Sequence, residues 1–243
     1  MVSAVSSTSI PAWRELYPFA SHRMTVGKHS LHYVDEGSRT ASPILFVHGN
    51  PTWSFYWRNL VAEFRGSYRT VAIDHMGCGL SDKPLDYPYR LQNHVDNLVQ
   101  LITELDLKDI TLVVHDWGGA IGMGAAAKLP ERFKRFVVFN TAAFRSQEIP
   151  LRIAACRIPG AGALAVRLFN GFAGAAIVMA TEKGLSGPVK DGLLAPYDSY
   201  DHRIAVHRFV QDIPLTPEHP SYATLEGIET ALAGFKDKPM QII

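Results

Sequence analysis

Only two cysteines occur in the 243 residues, Cys78 and Cys156. Two such distant thiols make neither a disulfide framework nor a thiolate metal cluster, and they read as reduced thiols of a cytoplasmic protein. An excess of one charge is also missing: 24 Lys and Arg stand against 23 Asp and Glu, a net charge of +1. Without a basic or acidic block there is no electrostatic case for nucleic acid or an anionic membrane as a partner. The N-terminal MVSAVSSTSIPAWRELYPFASH lacks a cationic start and a continuous apolar core, so it does not read as a signal peptide. Internal repeats, low-complexity tracts and clusters of metal-ligating side chains are absent as well. No metal and no organic cofactor is implied.

Long apolar runs are scarce. The longest, AGALAVRLFNGFAGAAIVMA at 161–180, has the length of a membrane span but carries Arg167 and Asn170 near its middle. A central Arg costs about 2.5–3.5 kcal/mol on insertion scales. Glycines and alanines weaken the run further, so it reads as a buried or pocket-lining helix and no membrane span is expected.

What remains is a chain that is 47% hydrophobic and 19% charged, a composition that folds into a core. Short apolar runs end abruptly in turn residues: LHYVD (31–35), ILFVHG (44–49), TVAIDH (70–75), TLVVHD (111–116) and FKRFVVFNT (133–141) read as strands. Helical spacing appears at 55–64, 91–107 and 120–129, with Leu91, Val95, Leu98, Leu101, Ile102 and Leu105 making an amphipathic stripe. Alternating strands and helices predict an α/β fold, a mostly parallel sheet covered on both faces. After about residue 145 this rhythm gives way to Pro/Gly-punctuated helical pattern, until PMQII at 239–243. Three segments are expected: a core over 1–144, a helical cap over 145–230, and a return to the core over 231–243.

In such sheets ligands bind beyond the carboxyl ends of the strands. Asn50 and Pro51, Asp74 and His75, Asp116 and Trp117, and Asn140 and Thr141 all fall there. Asp116 is the sharpest of them. A strand, a turn holding Gly118 and Gly119, and a helix follow one another around it, the pattern of a nucleophile elbow. Val114 stands where that pattern has its first glycine, and Asp stands where it has serine. The first N–H groups of the following helix favour an anion there. A carboxylate nucleophile attacks an electrophilic carbon and forms an ester.

The stretches HGNPTWSFYWR (48–58), DHMGCGLSDKP (74–84) and HDWGGAIGMG (115–124) together resemble the haloalkane dehalogenases of the α/β-hydrolase superfamily, and among them the third subfamily. The segment APYDSYDHRIAVHRFVQDIPL (195–215) is similar to the β-lactone decarboxylases of bacterial olefin synthesis. The resemblance implies an α/β-hydrolase fold, a small hydrophobic substrate and an Asp-nucleophile enzyme. Asp116 matches the nucleophile. Trp117 matches an indole donor to the departing halide, and the Asn50 side chain a second donor. The backbone N–H groups of Asn50 and Trp117 match an oxyanion hole. The implied reaction is haloalkane hydrolysis through an alkyl ester to an alcohol. One alternative is decarboxylation of a cis-3-alkyl-4-alkyloxetan-2-one to a cis-alkene. Others are epoxide hydrolysis, with Tyr197 and Tyr200 as cap tyrosines, and a non-catalytic truncated hydrolase. Asn50 speaks against the epoxide reading.

Plainer roles compete at each position. Asp116 also suits a helix N-cap, Asn50 a turn before proline, and Trp117 the core. His48 and His115 read as structural, and Asp74 and Ser81 as braces of the loop 74–84. Phe144, Phe169, Phe172 and Phe209 are candidates for the pocket wall or for packing. The family also implies a His base and an acid that orients it. After 133–141 stand Asn140 and Thr141 rather than an acid, Glu148 lies further on, and the last histidine is His219. The expectation is therefore a C-terminally truncated hydrolase, short of about fifty residues by ordinary element lengths. Such a chain would be alkylated once at Asp116 without turning over, and would expose an aggregation-prone strand edge.

Overall fold

The computed structural model describes residues 10–179 and 184–243. The first nine residues of the expected core and residues 180–183 of the expected cap lie outside the described residues. Seven strands form one sheet: β1 (His22–Val26), β2 (His29–Glu36), β3 (Pro43–Val47), β4 (Arg69–Ile73), β5 (Ile110–Asp116), β6 (Phe133–Thr141) and β7 (Met240–Ile242). Their order is β1-β2-β4-β3-β5-β6-β7. The pairs β1–β2 and β2–β4 are antiparallel, and all pairs from β4 to β7 are parallel. This is the expected α/β-hydrolase architecture, with a parallel core and an antiparallel hairpin at one edge.

The core strands are apolar throughout because both faces are covered. Leu45, Val47, Val71, Ile73, Leu112 and Val114 face one layer, where they meet Leu91, Val95, Leu98 and Ile121. Ile44, Phe46, Ala72 and Val113 face the other, against Trp53, Phe55, Trp57 and Val61. The first layer is built by α2 (Leu91–Glu104) and α3 (Trp117–Lys128), and the second by α1 (Arg58–Phe64) with the 3-10 turn Ser54–Trp57 before it. The start of α2 is fixed from far along the chain. Asp212 accepts the Leu91 N–H at 2.7 Å and the Arg90 guanidinium at 2.8 Å, placing a carboxylate at a helix N-terminus.

Several expectations need correction. The hairpin strand β1 was absent from the sequence reading. Only Met24 of its five residues is buried, so they make no continuous apolar run. The helix expected at 120–129 begins at Trp117, directly after the strand. That expected at 91–107 ends at Glu104, and Asp106 adopts a left-handed φ of 45°. The apolar run 161–180 is not one helix. It divides into α5 (Ala161–Ala163), a π-turn at Leu164–Leu168 and, past Asn170 with φ 51°, α6 (Gly171–Met179). Among the described residues no helix is long and apolar enough to cross a membrane.

Between β6 and β7 the described chain also carries α4 (Leu151–Cys156), α7 (Gly187–Leu194), α8 (Ile204–Gln211) and α9 (Tyr222–Ala231). The amphipathic α8 buries Ile204, Ala205, Val206, Phe209 and Val210. Leu225 and Ile228 of α9 join the same core cluster as α2 and α3.

Candidate active site

The parallel register brings the ends of β3, β5 and β6 together. Val47 pairs beside Val114, and Asp116 beside Thr141 after a register shift at His115. Asp116 has φ 53° and ψ −131°, a conformation that non-glycine residues adopt only when the surroundings force it. Its neighbours do force it. Thr141 donates its hydroxyl to the Asp116 carbonyl. Gly118 packs on the Val47 carbonyl and Gly119 on the Thr141 side chain, so closely that a Cβ at either position would collide. Gly49 meets the Asp116 carboxylate in the same way.

The carboxylate does not cap the helix it precedes. Instead the Asn50 N–H donates to Asp116 Oδ1 at 2.7 Å. The other oxygen, Oδ2, has no protein partner among the described residues. Asp116 and Trp117 line a cavity of about 230 Å³ together with Thr141, Phe144, Glu148 and Ile213. One carboxylate oxygen is thus held and the other is free at the wall of a mostly apolar cavity, a geometry open to nucleophilic attack.

Trp117 is the first residue of α3. Its indole N–H has no acceptor among the described residues, and its ring lies 5.4 Å from that of Phe209. The Asn50 amide donates from Nδ2 to the Val206 carbonyl at 3.0 Å, and its Oδ1 is buried without a partner. The structure thus brings Asn50, Asp116 and Trp117 to one place. The Asn50 backbone N–H, expected in an oxyanion hole, donates to the Asp116 carboxyl oxygen on which an oxyanion would form if that carboxyl carried an ester.

The histidines around the site are committed elsewhere. His48 donates from Nδ1 to the Gly49 carbonyl at 2.7 Å, and its Nε2 accepts the His75 N–H at 3.1 Å. His75 returns a bond from Nε2 to the His48 carbonyl at 2.9 Å. His115 stacks on Tyr56, 4.9 Å between ring centres. Burial pushes the pKa of His48 down despite the opposing Asp74, and that of His75 well down; burial also lowers His115 against the pull of Asp116. His94, buried beside them, is held at about 3 by burial and by His48. These rings are neutral at pH 7.

Asp74 braces the loop after β4. Its Oδ1 accepts the Ser54 N–H at 2.7 Å, and its Oδ2 accepts Leu80 N–H and His32 Nδ1, each at 2.8 Å. Burial raises its pKa, but His32, His48 and the Leu80 N–H outweigh that and hold it below the usual carboxylate value. Ser81 ties the same loop to β2 through the His32 N–H at 2.7 Å.

The other candidates divide between the cavity wall and positions away from it. Phe144 lines the cavity, but Phe169 is 75% exposed. Phe172 packs beside Val166 and Tyr197, and Phe209 is a buried anchor behind Trp117. The Tyr197 hydroxyl donates to the Thr52 carbonyl at 3.1 Å, and Tyr200 faces the Arg167 guanidinium, so neither tyrosine is positioned as an epoxide activator. Among the described residues no group of three or more His, Cys, Asp or Glu is placed to hold a metal ion. Sequence reasoning missed the Val206 carbonyl and the Thr141 hydroxyl; no local motif announces either.

A family model described as alpha/beta hydrolase fold matches residues 42–155. A cis-3-alkyl-4-alkyloxetan-2-one decarboxylase of Shewanella oneidensis is 44% identical over 234 residues, covering 93% of this chain and 73% of the relative. Another, from Xanthomonas campestris, is 39% identical, covering 92% and 78%. A haloalkane dehalogenase of Mycolicibacterium paratuberculosis is 35% identical, covering 85% and 70%. In structure, the haloalkane dehalogenase DatA from Agrobacterium tumefaciens superposes with a TM-score of 0.81 at 28% identity, covering 92% of this chain and 78% of that one. The chain therefore belongs to the haloalkane dehalogenase family of the α/β-hydrolase superfamily, close to the β-lactone decarboxylases.

Proposed function

We propose that the chain decarboxylates a neutral cis-3,4-dialkyl β-lactone to a cis-alkene. Asp116 acts as nucleophile and Asn50 and Trp117 as donors to the departing anion. The observation that carries this reading is the 44% identity to such a decarboxylase across 93% of the chain, and the meeting of Asn50, Asp116 and Trp117 at the strand ends supports it. It reverses the order of the two main readings taken from the motifs around Asp116, which both reactions share.

The free oxygen of Asp116 attacks C4 of the lactone from the face opposite the ring oxygen. The C4–O bond breaks and its electron pair stays on oxygen, giving a carboxylate and an alkyl ester of Asp116. N–H groups aimed at that new anion in a low-dielectric pocket lower the barrier. Attack from behind leaves the C4–O(Asp116) bond antiparallel to the bond that joins C3 to the new carboxylate. That carboxylate then leaves as carbon dioxide. Its bonding electrons form the C3=C4 double bond, and the Asp116 carboxylate is expelled. Inversion followed by anti elimination keeps the two alkyl groups cis. No water and no proton transfer enter the sequence. In this reading the described residues of 145–230 form the cap over the described residues of 1–144, and 231–243 return to that core.

Haloalkane hydrolysis is the second reading, favoured by the same donors and by the structural likeness to dehalogenases. It differs in needing a base to activate the water that hydrolyses the ester. Incubation with a cis-dialkyl β-lactone and with a 1-bromoalkane separates the two. The decarboxylase reading predicts cis-alkene by gas chromatography from the lactone. Steady bromide release from the bromoalkane, with no alkene from the lactone, would replace it with the dehalogenase reading.

A further inference from the structure

Both donors of the anion-binding pair touch the same helix, α8. The Val206 carbonyl accepts one N–H of the Asn50 amide at 3.0 Å. An amide nitrogen carries two hydrogens, so this bond orients the group and leaves its second N–H for a ligand. Three residues on, the Phe209 ring lies 5.4 Å from the Trp117 indole at 55° between planes. Positions three apart share a face of a helix, which is why one short element reaches both donors. Phe209 is itself fixed from behind. His94 of α2 stacks on it at 4.5 Å and 19°, and Phe209 is 1% exposed.

We infer that α8 is the positioning element of the anion-binding pair, with Phe209 as the residue that holds the Trp117 indole in line with the leaving group. The helix is thus more than a cover: Val206 sets the Asn50 amide through its backbone, and Phe209 sets Trp117 through its ring. The inference rests on Asn50 and Trp117 being the donors, a role common to both reactions above. Phe209 makes no bond to the reacting atoms. Its effect is confined to how well the departing anion is stabilised.

The test is the single-turnover rate of ester formation at Asp116, followed by mass spectrometry, with a 1-iodo-, a 1-bromo- and a 1-chloroalkane of one chain length. A poorer leaving group depends more on its donors, so chloride reports their alignment most strongly. Phe209→Leu is expected to slow the chloroalkane about tenfold more than the iodoalkane, a loss of about one decade of donor stabilisation. A Phe209 that served only packing would slow all three equally, and that result would overturn the inference. Phe209→Met, close in volume but without a flat face, is measured in the same way and covers the case in which the Leu variant fails to fold. Trp117→Phe and Asn50→Ala run beside them. If neither changes the leaving-group dependence, the donor assignment fails. If both change it and the two Phe209 variants do not, the donors stand and the role of α8 falls.

Discussion

Asp116 is held by three neighbours that each act on a different part of it: the Asn50 N–H on one carboxylate oxygen, the Thr141 hydroxyl on its carbonyl, and Gly49 beside its side chain. In the proposed mechanism the remaining oxygen is the reactive one. Asp116→Asn is expected to abolish any covalent adduct while leaving the fold intact, because the amide oxygen still accepts from Asn50. Trp117→Phe or Asn50→Ala is expected to slow adduct formation by about 10²–10³, the usual cost of a lost anion donor. Rates within a factor of three of the parent would remove that residue from the site. His94 carries a separate prediction. Both of its ring nitrogens are buried without a partner, and burial first, then His48, holds its pKa at about 3. The folded ring stays neutral while the unfolded one takes up a proton below about pH 6.5. The unfolded state therefore binds more protons, and stability falls as pH drops from about 6.5 toward 3. His48 and His75 shift in the same direction. Urea midpoints are expected to be lower at pH 5 than at pH 7.5, and His94→Phe to reduce the difference. An unchanged difference in that variant would assign the pH dependence to the other histidines.

At the scale of the element, the turn from β5 into α3 works because small residues let the helix lie against β3 and β6. Gly118 and Gly119 sit where any Cβ would strike the Val47 carbonyl or the Thr141 side chain. Gly118→Ala is expected to cost about 1–3 kcal/mol, as overpacked positions do, with a lower urea midpoint at unchanged slope. A neutral effect would show that α3 can slide away from the sheet. This turn was legible in the sequence: the apolar run, the acid and the two glycines announced it. The core strands were equally legible, since burial on both faces leaves uninterrupted apolar runs. The hairpin strand β1 was not, because an edge strand needs no such run. Nor was the break at Asn170 visible, where apolar composition continues across a change of helix geometry. The bonds from α8 to Asn50 and Trp117 span 156 and 92 positions, and no local pattern encodes contacts of that range.

Across the whole molecule, the site is an alignment of distant segments: the β3 loop, the β5 turn, the end of β6 and α8. Their convergence follows from the parallel order of the sheet, which was inferable from the alternation of strands and helices. The central claim is that the Asp116 carboxylate bonds to substrate carbon. Its most direct measurement is peptide mapping by mass spectrometry after incubation with a 1-bromoalkane. The account predicts a mass increase of one alkyl group less one hydrogen on the peptide containing Asp116, absent from Asp116→Asn. Bromide release with that peptide unmodified at every time point, or an adduct that persists in Asp116→Asn, would contradict it.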